Sequence, residues 1–236
     1  MSKMMKRLTA PRSWPVTRKT NVFVTKPTPG PHAVEGGIPL TVVLRDMLDI
    51  CDTSREARRI VGQRDVLVDG RVVRDEKVPV GLMDVVSLPR MGVEYRMMLN
   101  DKGKLHLERL EEGESAWKLC RVEDKTTVSK GRTQLNLHDG RNIIVDDDVY
   151  RTGDVLKLSM PGQEVLESYG LEEGNVVLIV SGSHAGEMAV IDEYIVTRRP
   201  TPNIVRFKDG RETVKGNVFV IGSKTPEVKL PEGSAI

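Results

Sequence analysis

Three arginines stand at helical spacing in the stretch from Thr53 to Val61. Arg55, Arg58 and Arg59 occupy i, i+3 and i+4 positions, which share one face of an α-helix. A guanidinium donates hydrogen bonds in a planar fork that matches two oxygens of a phosphate. Further along the chain come Arg64, Arg71 and Arg74. This spacing predicts one cationic surface suited to binding phosphate groups.

The elements that position these arginines can be predicted from the neighbouring residues. Thr53 and Glu56 have the spacing of a capping box, in which each side chain satisfies a backbone N–H at the helix start. Ala57, Ile60 and Val61 form an apolar face almost opposite the arginines. The helix is expected to pack through that face and to expose the guanidinium groups. The alternative is a solvated helix face that binds nothing.

A second helix and a hairpin are predicted on either side of this helix. The first opens at Ile38-Pro39, and its apolar stripe at i, i+3, i+4, i+7 and i+8 consists of Leu40, Val43, Leu44, Met47 and Leu48. Arg45 lies off that stripe and is predicted to join the cationic surface. Asp69-Gly70 supplies the two residues of a type I′ turn in a hairpin over 66–73. A further strand is expected over 84–88.

Residues 1–37 form a basic segment rich in proline. It has no acidic residue before Glu35, and its basic residues are Lys3, Lys6, Arg7, Arg12, Arg18, Lys19 and Lys26. Prolines disfavour helix, so the segment is expected to run extended. We expect it to lie along a polyanion, with Trp14 and Phe23 packing on another surface or stacking on bases. The alternative is a flexible, solvated tail.

The remaining sequence predicts two β domains. Over 91–168 the predicted strands are Val93–Met98, Lys104–Leu110, Ala116–Val122, Thr133–Leu137, Asn142–Val145 and Asp154–Leu158. Over 169–222 they are Glu173–Val180, which is entered through Gly174, Met188–Ile191, Ile204–Phe207, Glu212–Val214 and Asn217–Ile221. Short strands at this spacing favour small barrels, and the second set has the strand number of a five-stranded barrel. The polar tail over 223–236 is expected to be loosely held.

Charge and composition narrow the possible functions. Residues 1–90 hold 16 Lys and Arg against 10 Asp and Glu, whereas residues 91–170 hold 12 against 15, so the positive excess lies at the front. No apolar run approaches the ~20 residues of a membrane-spanning helix. The two cysteines, Cys51 and Cys120, are expected in the core of a protein from a reducing compartment. The acidic run Asp146–Asp148 is interpreted as a solvated loop, with a cation site as the alternative.

Catalytic signatures are missing from the sequence. There is no phosphate-binding GxxxxGK[ST] loop, no GxGxxG, and no histidine pair at metal-ligand spacing. The glycine-rich stretch over 182–186 lacks the lysine and the following helix of a phosphate loop. We therefore predict a protein without catalytic residues, cofactor or metal.

Several stretches together resemble a known family. Residues 40–88 resemble the S4-type RNA-binding domain, also called the αL motif, and residues 173–191 resemble a KOW motif. The order of basic arm, αL module, β domain and KOW barrel resembles the S4e family of small-subunit ribosomal proteins. The matching stretches are Leu8–Trp14, Pro29–His32, Pro39–Asp46, Ser54–Arg59, Val66–Arg71, Pro79–Val85 and Gly216–Gly222.

This resemblance implies an α+β, multidomain protein with a two-helix and hairpin module, a central barrel-like β domain and an SH3-like barrel. It implies a non-catalytic component of the cytoplasmic small ribosomal subunit that binds rRNA and neighbouring ribosomal proteins, without membrane or small-molecule partners and without forming homo-oligomers. The expected rRNA contacts are Lys3, Lys6, Arg7, Arg12, Arg18, Lys19, Arg45, Arg55, Arg58, Arg59, Arg64, Arg71 and Arg74. The basic arm would become ordered only in the particle.

One departure from the KOW pattern concerns its loop. Glu187 and Ala189 stand where such motifs usually carry a basic residue and a second glycine. Because a carboxylate repels phosphate, Glu187 argues against direct RNA contact by this loop.

Two other functions remain open from the sequence. The first is an RNA-modifying enzyme with an appended αL domain, for which residues 91–168 would have to supply a catalytic site. The second is a free KOW-type transcription or ribosome-assembly factor. The basic arm disfavours it, since a free factor gains little from a segment that orders only in the particle.

Overall fold

The computed structural model describes residues 4–111 and 113–229, which form two compact units. The first unit comprises the described residues up to 98 together with 104–118. The second comprises 99–103 and the described residues from 119 onward. Both are mostly β-structure, with two short α-helices in the first unit among the residues described. This agrees with the predicted mixture of a small helical module and β domains.

The elements follow one another in this order. Before position 100 lie β1 (Met4–Lys6), β2 (Phe23–Thr25), β3 (Gly37–Pro39), α1 (Leu40–Val42), α2 (Ser54–Gly62), β4 (Leu67–Val68), β5 (Arg71–Val72), β6 (Pro79–Gly81), β7 (Val85–Leu88) and β8 (Val93–Leu99). After it lie β9 (Leu105–Arg109), β10 (Trp117–Thr127), β11 (Thr133–Leu137), β12 (Asn142–Val145), β13 (Val155–Ser159), β14 (Val165–Tyr169), β15 (Val176–Ile179), β16 (Met188–Ile195), β17 (Ile204–Phe207), β18 (Glu212–Val214) and β19 (Val218–Gly222). Short 3₁₀ turns cover Arg7–Thr9, Glu114–Ala116, Ser129–Gly131 and Lys215–Asn217.

Helix α2 begins at the predicted capping box. The Thr53 hydroxyl accepts a hydrogen bond from the backbone N–H of Glu56, and the Glu56 carboxylate accepts from the N–H groups of Asp52 and Thr53. These bonds to the charged carboxylate lower the pKa of Glu56. Ala57 and Val61 are buried, as the apolar pattern predicts.

The first helix differs from the prediction. Gly37–Pro39 is a strand that pairs with β6, so the α-helix begins at Leu40 rather than at Ile38. After one turn the chain widens into a π-helix over Val43–Met47, with the N–H of Leu48 bonding the carbonyl of Val43. The predicted stripe is buried at its start, where Leu40 is fully enclosed.

The predicted hairpin is confirmed and belongs to a larger sheet. Asp69 and Gly70 have φ of 50° and 72°, as a type I′ turn requires, and they join β4 to β5. The strand order of this sheet is β5-β4-β7-β8-β9. Val93–Leu99 pairs with β7, so this sheet continues past position 90. Strand alternation alone does not reveal which partner a strand will choose.

From residue 4 onward the N-terminal segment is folded, contrary to the expectation of an arm ordered only in the particle. Strands β1 and β2 pair with each other. Trp14 is 1% exposed, and its indole N–H donates to the carbonyl of Gly37 at 3.0 Å. The apolar residues of this segment, Trp14 and Val24 among them, outweigh its prolines by packing into the first unit.

A fully buried lysine joins distant parts of the first unit. The ammonium of Lys118, at the start of β10, lies 2.9 Å from a carboxylate oxygen of Asp69 and 2.7 Å from one of Asp84. The other oxygen of Asp84 bonds His32 at 2.8 Å and the N–H of Gly81 at 2.9 Å. We call Lys118, Asp69, Asp84 and His32 the buried ion network. It ties the N-terminal segment, the hairpin turn and the β6–β7 turn to β10.

The second unit contains two five-stranded antiparallel sheets among the described residues. Their orders are β12-β11-β10-β13-β14 and β18-β17-β16-β15-β19. Most predicted strands are confirmed, and β14 is an addition that the sequence analysis missed. Cys120 is buried in the core of the first of these sheets, and Cys51 is buried in the first unit, as predicted.

The start of the C-terminal tail is held more firmly than predicted. Val228 is 3% exposed, and the Glu227 carboxylate bonds the ammonium of Lys157 at 2.8 Å. Residues 230–236 lie outside the described residues. None of the helices that the structure describes is long and apolar enough to cross a membrane.

Replacing the buried lysine should destabilise the protein strongly. Lys118→Met keeps the length of the side chain but leaves two buried carboxylates without their cation. We expect the free energy of unfolding, measured by urea denaturation, to fall by about 3–5 kcal/mol. Lys125→Met, on the same strand, removes an ion pair to exposed Asp148 and a hydrogen bond to the carbonyl of Tyr150, and it should cost only about 1–2 kcal/mol. Equal losses in the two variants would contradict this role of Lys118.

The buried ion network should also make the protein sensitive to acid. Burial alone would raise the pKa of Asp84, but Lys118, His32 and the bound N–H of Gly81 hold it well below its usual value of 3.8. The unfolded chain therefore binds this proton first as the pH falls, and stability present above about pH 4 is lost below it.

The Asp84→Asn variant tests this linkage by urea denaturation at several pH values below 4. Its unfolding free energy should depend on pH less steeply than that of the unaltered chain, by up to one proton, or about 1.4 kcal/mol per pH unit. It should also be less stable at neutral pH. Identical slopes would show that Asp84 does not titrate with unfolding.

Candidate nucleic-acid interface

Helix α2 presents its arginines on the face opposite its buried residues. Arg55 and Arg59 are exposed, and no ion pair or hydrogen bond engages their side chains among the residues described. The hairpin adds Arg71, and the segment after it adds Arg74. Both are exposed and without such partners in the described chain. Four guanidinium groups on adjacent elements thus face solvent.

Arg64 follows the end of the helix and is a fifth exposed arginine of this part of the chain. It has φ of 63°, in the left-handed region where a side chain is strained, and its N–H bonds the carbonyl of Val61 at 3.0 Å. Its side chain is exposed. We call Arg55, Arg59, Arg64, Arg71 and Arg74 the arginine surface.

Arg58 is partly neutralised, although it shares the helix with these residues. Its side chain is 68% exposed, and two of its nitrogens bond one oxygen of Glu76 at 3.1 and 2.8 Å. Burial opposes ionisation of Glu76, but the hydrogen bonds and charge of Arg58 hold the pKa of that carboxyl below its usual value. Arg58 therefore fixes the outer side of α2 to the segment before β6.

Other predicted contact residues serve the fold. Arg7 is 3% exposed, and its guanidinium bonds the carbonyl of Thr17 and lies 3.5 Å from Asp46. Arg18 donates to three backbone carbonyls of residues 8–11. Arg45 bonds Asp46 and the Ser54 hydroxyl. These contacts span from 1 to 39 residues of sequence, and a count of basic residues does not reveal them.

The remaining predicted residues lie on the N-terminal segment. Lys6, Arg12 and Lys19 are exposed, and Lys3 lies outside the described residues. Of the two aromatic residues proposed for base stacking, Trp14 is buried and unavailable to a base, whereas Phe23 is 54% exposed.

In the second unit, unlike on the arginine surface, the charges beside the glycine-rich loop are paired with each other. Glu187, which the sequence suggested would repel phosphate, forms an ion pair with Arg211 and bonds His184 at 3.3 Å. The hydrogen bond from Arg211 is the main cause that lowers the pKa of Glu187. Its charge is therefore partly balanced inside the unit.

Gly186, beside Glu187, is required by the packing of the second unit. It has φ of 95°, and a Cβ built on it would lie 1.7 Å from the carbonyl oxygen of Asn100. No other residue fits this position without moving the backbone.

One group of possible metal ligands occurs in the second unit. Ligand atoms of Cys120, His138 and Asp139 lie within 4.8 Å of one another. However, Asp139 pairs with Arg141 at 3.0 Å, and the His138 ring nitrogen accepts the N–H of Arg121 at 3.2 Å. The Cys120 thiol also donates to the Asp139 carboxylate at 3.5 Å, so the closeness of these three side chains is explained by hydrogen bonds around the turn.

Exposed arginines without ion-pair partners among the described residues are the chemistry that suits a polyanion, and comparisons with known proteins show which family carries them. Three family profiles match, described as the RS4NT (NUC023) domain over residues 1–35, the S4 domain over 39–86 and Ribosomal family S4e over 91–165.

Individual relatives agree with these profiles. Small ribosomal subunit protein eS4 of Methanothermobacter thermautotrophicus is 44% identical over 235 residues, covering 98% of this chain and 97% of that protein. The protein of the same name from Methanocaldococcus jannaschii is 43% identical, covering 96% of each. The crystal structure of the 30S ribosomal protein S4e from Thermoplasma acidophilum has a TM-score of 0.71 and 37% identity, covering 80% of this chain and 96% of that one. The chain belongs to the S4e family of ribosomal proteins.

Because the backbone of Arg64 is strained, one substitution at this position should lower RNA affinity without lowering the stability of the protein. Arg64→Gly removes a cation and relieves the left-handed strain, so we expect the unfolding free energy to stay constant or rise by up to about 1 kcal/mol. Affinity for a short RNA duplex, measured by filter binding, should fall in the same variant.

The neighbouring Gln63 provides the matched control, since it is exposed and has an ordinary helical φ of −76°. Gln63→Gly should lower stability by about 0.5–1 kcal/mol and leave RNA affinity unchanged. A destabilised Arg64→Gly variant with full RNA affinity would contradict both parts of the argument.

Proposed function

We infer that this chain is a structural constituent of the small ribosomal subunit. The single observation that carries this inference is its 44% identity over 98% of its length to a protein named as such a subunit component. Its role is structural rather than catalytic, and its place is in the cytoplasm within the ribosome. The two alternatives, an RNA-modifying enzyme and a free factor, have no comparable support.

Its direct partner in the subunit is rRNA, which the arginine surface contacts through phosphates. Guanidinium groups bind phosphate oxygens in pairs, and A-form RNA is recognised largely through its backbone and shape. The five arginines of this surface have no carboxylate partner among the described residues, so their charge is available to RNA. Lys6, Arg12 and Lys19 extend the contact along the N-terminal segment, together with Lys3.

The contacts that each basic residue makes within the fold indicate whether it is available to RNA. Arg7, Arg18 and Arg45 hold the first unit together, and Arg58 orients α2 while leaving part of its guanidinium exposed. We place these four outside the principal RNA-contact set. If roughly six to ten phosphates are contacted, affinity should fall ~10³–10⁵-fold between about 50 and about 200 mM salt, taking duplex DNA as a guide.

The proposed domain organisation follows the family pattern. Residues 1–37 are the N-terminal segment, 38–90 the αL module, 91–168 the central β domain, 169–222 the KOW or SH3-like barrel and 223–236 the tail. In this organisation, strands β8 and β9 at the start of the central domain complete the sheet that begins in the αL module. The sheet β18-β17-β16-β15-β19 has the strand number of such a barrel, which supports this assignment. In the particle, the chain would act as a single copy that contacts neighbouring ribosomal proteins.

A charge reversal tests the arginine surface. Arg59→Glu should weaken binding to small-subunit rRNA roughly ten- to a hundredfold in a filter-binding assay, because it removes a charged contact and adds repulsion. The melting temperature should stay within about 2 °C, since the side chain is exposed and without an ion pair among the described residues.

Arg109→Glu is the matched control, because Arg109 is an exposed arginine of the same unit on edge strand β9. It should bind rRNA like the unaltered chain. A large fall in the melting temperature of Arg59→Glu would mark that residue as structural. Equal rRNA affinity in both variants would remove the arginine surface from the binding site.

A further inference from the structure

The second unit contains a cavity of about 860 Å³ with cations and tyrosines in its wall. These side chains are Lys125, Tyr150, Arg151, Tyr194 and Lys215. Small-molecule sites commonly measure about 300–1,000 Å³, so the cavity is large enough for a nucleotide. It lies outside the segment that matches the S4 domain, and the net charge of the region did not point to it.

Lys215 is held over the cavity with hydrogen-bonding capacity to spare. Its side chain is half-buried, and its ammonium bonds the Thr152 hydroxyl at 3.0 Å. The stem crosses Gly153, where a Cβ would lie 2.6 Å from the Lys215 Cε, so the glycine makes room for it. No carboxylate of the described residues pairs with this ammonium, which leaves donors for an anion.

Arg151 is the second cation of the wall without an ion-pair partner in the described chain. Its side chain is exposed. Among the residues described, Arg151 forms its hydrogen bonds through its backbone, whose N–H donates to the Asp154 carboxylate at 2.8 Å and whose carbonyl accepts from the N–H of Asp154 at 3.2 Å. By contrast, Lys125 in the same wall pairs with Asp148. Asp154 and Glu172 also line the cavity, so the wall is mixed in charge rather than uniformly basic.

Tyr194 offers an aromatic ring beside these cations. The Lys215 ammonium lies 5.9 Å from the centre of the ring, and the Asn203 side chain donates to the Tyr194 hydroxyl at 2.7 Å. Asn203 is in turn oriented by the backbone N–H of Thr197 at 3.1 Å. Because the tyrosine oxygen accepts from Asn203, its own proton is left to donate to a ligand.

The loop between Val196 and Asn203 extends the positive charge. Both of these residues line the cavity, so the loop begins and ends at its wall. It carries Arg198 and Arg199, which are exposed. Val196 itself is 65% exposed and adds apolar surface next to the aromatic ring.

We propose that this cavity binds a single unpaired nucleotide of RNA. The phosphate would bond Lys215 and Arg151, and the base would pack against Tyr194, a combination of cation and aromatic surface that suits single-stranded nucleic acid. A paired base is turned inward in a duplex and cannot enter such a cavity, so an extruded or single-stranded nucleotide is required. This inference rests on the proposed rRNA-binding function and adds a second contact to it.

The test uses the full chain with two labelled probes, a ten-nucleotide oligouridine strand and a ten-base-pair RNA duplex. Lys215→Met keeps the stem over Gly153 and removes the charge. It should weaken binding to the single strand roughly tenfold, as loss of a charged hydrogen bond predicts, and leave duplex binding unchanged. Lys208→Met is the matched control, because this exposed lysine lies at the turn between β17 and β18 and does not line the cavity.

Arg151→Gln provides a second variant in case Lys215→Met does not fold, since the Arg151 side chain is exposed. Unchanged single-strand affinity in a folded Lys215→Met or Arg151→Gln variant would overturn the proposal. Arg59→Glu in the same assay separates this inference from the proposed function. If Arg59→Glu loses duplex binding while Lys215→Met keeps full single-strand binding, the cavity proposal is wrong and the arginine surface stands. If Arg59→Glu keeps duplex binding while Lys215→Met loses single-strand binding, the arginine surface is wrong and the cavity proposal stands.

Discussion

The first unit depends on an ion pair that water does not reach. Lys118 lies between Asp69 and Asp84, and His32 closes the network from the N-terminal segment. Burying charges is costly unless each finds partners, and here the carboxylate oxygens also accept backbone N–H groups of Val85 and Gly81. The network can therefore form only when all of its chain segments are in place, which makes their arrangement cooperative.

The buried ion network also helps to position part of the arginine surface, because Asp69 belongs to the network and to the hairpin turn. The same aspartate occupies the left-handed position of the hairpin turn and receives the ammonium of Lys118. The hairpin that carries Arg71 and precedes Arg74 is thus anchored at its tip from inside the unit. Rigid placement matters for phosphate recognition, because guanidinium forks bind oxygen pairs only in a narrow range of geometries.

Basic residues of this chain fall into two groups that composition alone does not separate. Arg7 and Arg18 donate hydrogen bonds to backbone carbonyls, whereas the side chains of Arg55 and Arg59 face solvent. Both groups are equally basic in the sequence. A positive segment therefore indicates a polyanion partner, but contacts within the fold decide which cations can reach it.

Local features were predictable from the sequence, because their causes are local. The capping box of α2, the type I′ turn at Asp69-Gly70 and the strands Thr133–Leu137 and Ile204–Phe207 are confirmed. Long-range features were not predictable. Burial of Trp14, which hydrogen-bonds a residue 23 positions away, depends on tertiary packing that a proline-rich composition hides.

The site was predictable to a similar extent. Helical spacing located Arg55 and Arg59 correctly on an exposed face. The same spacing could not show that Arg58 would meet Glu76, 18 residues further on, or that Lys118 would be buried. Alternation in a strand indicates which residues face inward, but not which charges meet there.

Chemical modification of arginines in the free protein and in assembled small subunits would test the central claim most directly. With phenylglyoxal and mass spectrometry, Arg55, Arg59, Arg64, Arg71 and Arg74 should react in the free chain, because they are exposed. They should become protected in the subunit, while buried Arg7 should stay unreactive in both states. If the five arginines react equally in both states, the surface does not contact rRNA, and the binding face must be sought elsewhere on the chain.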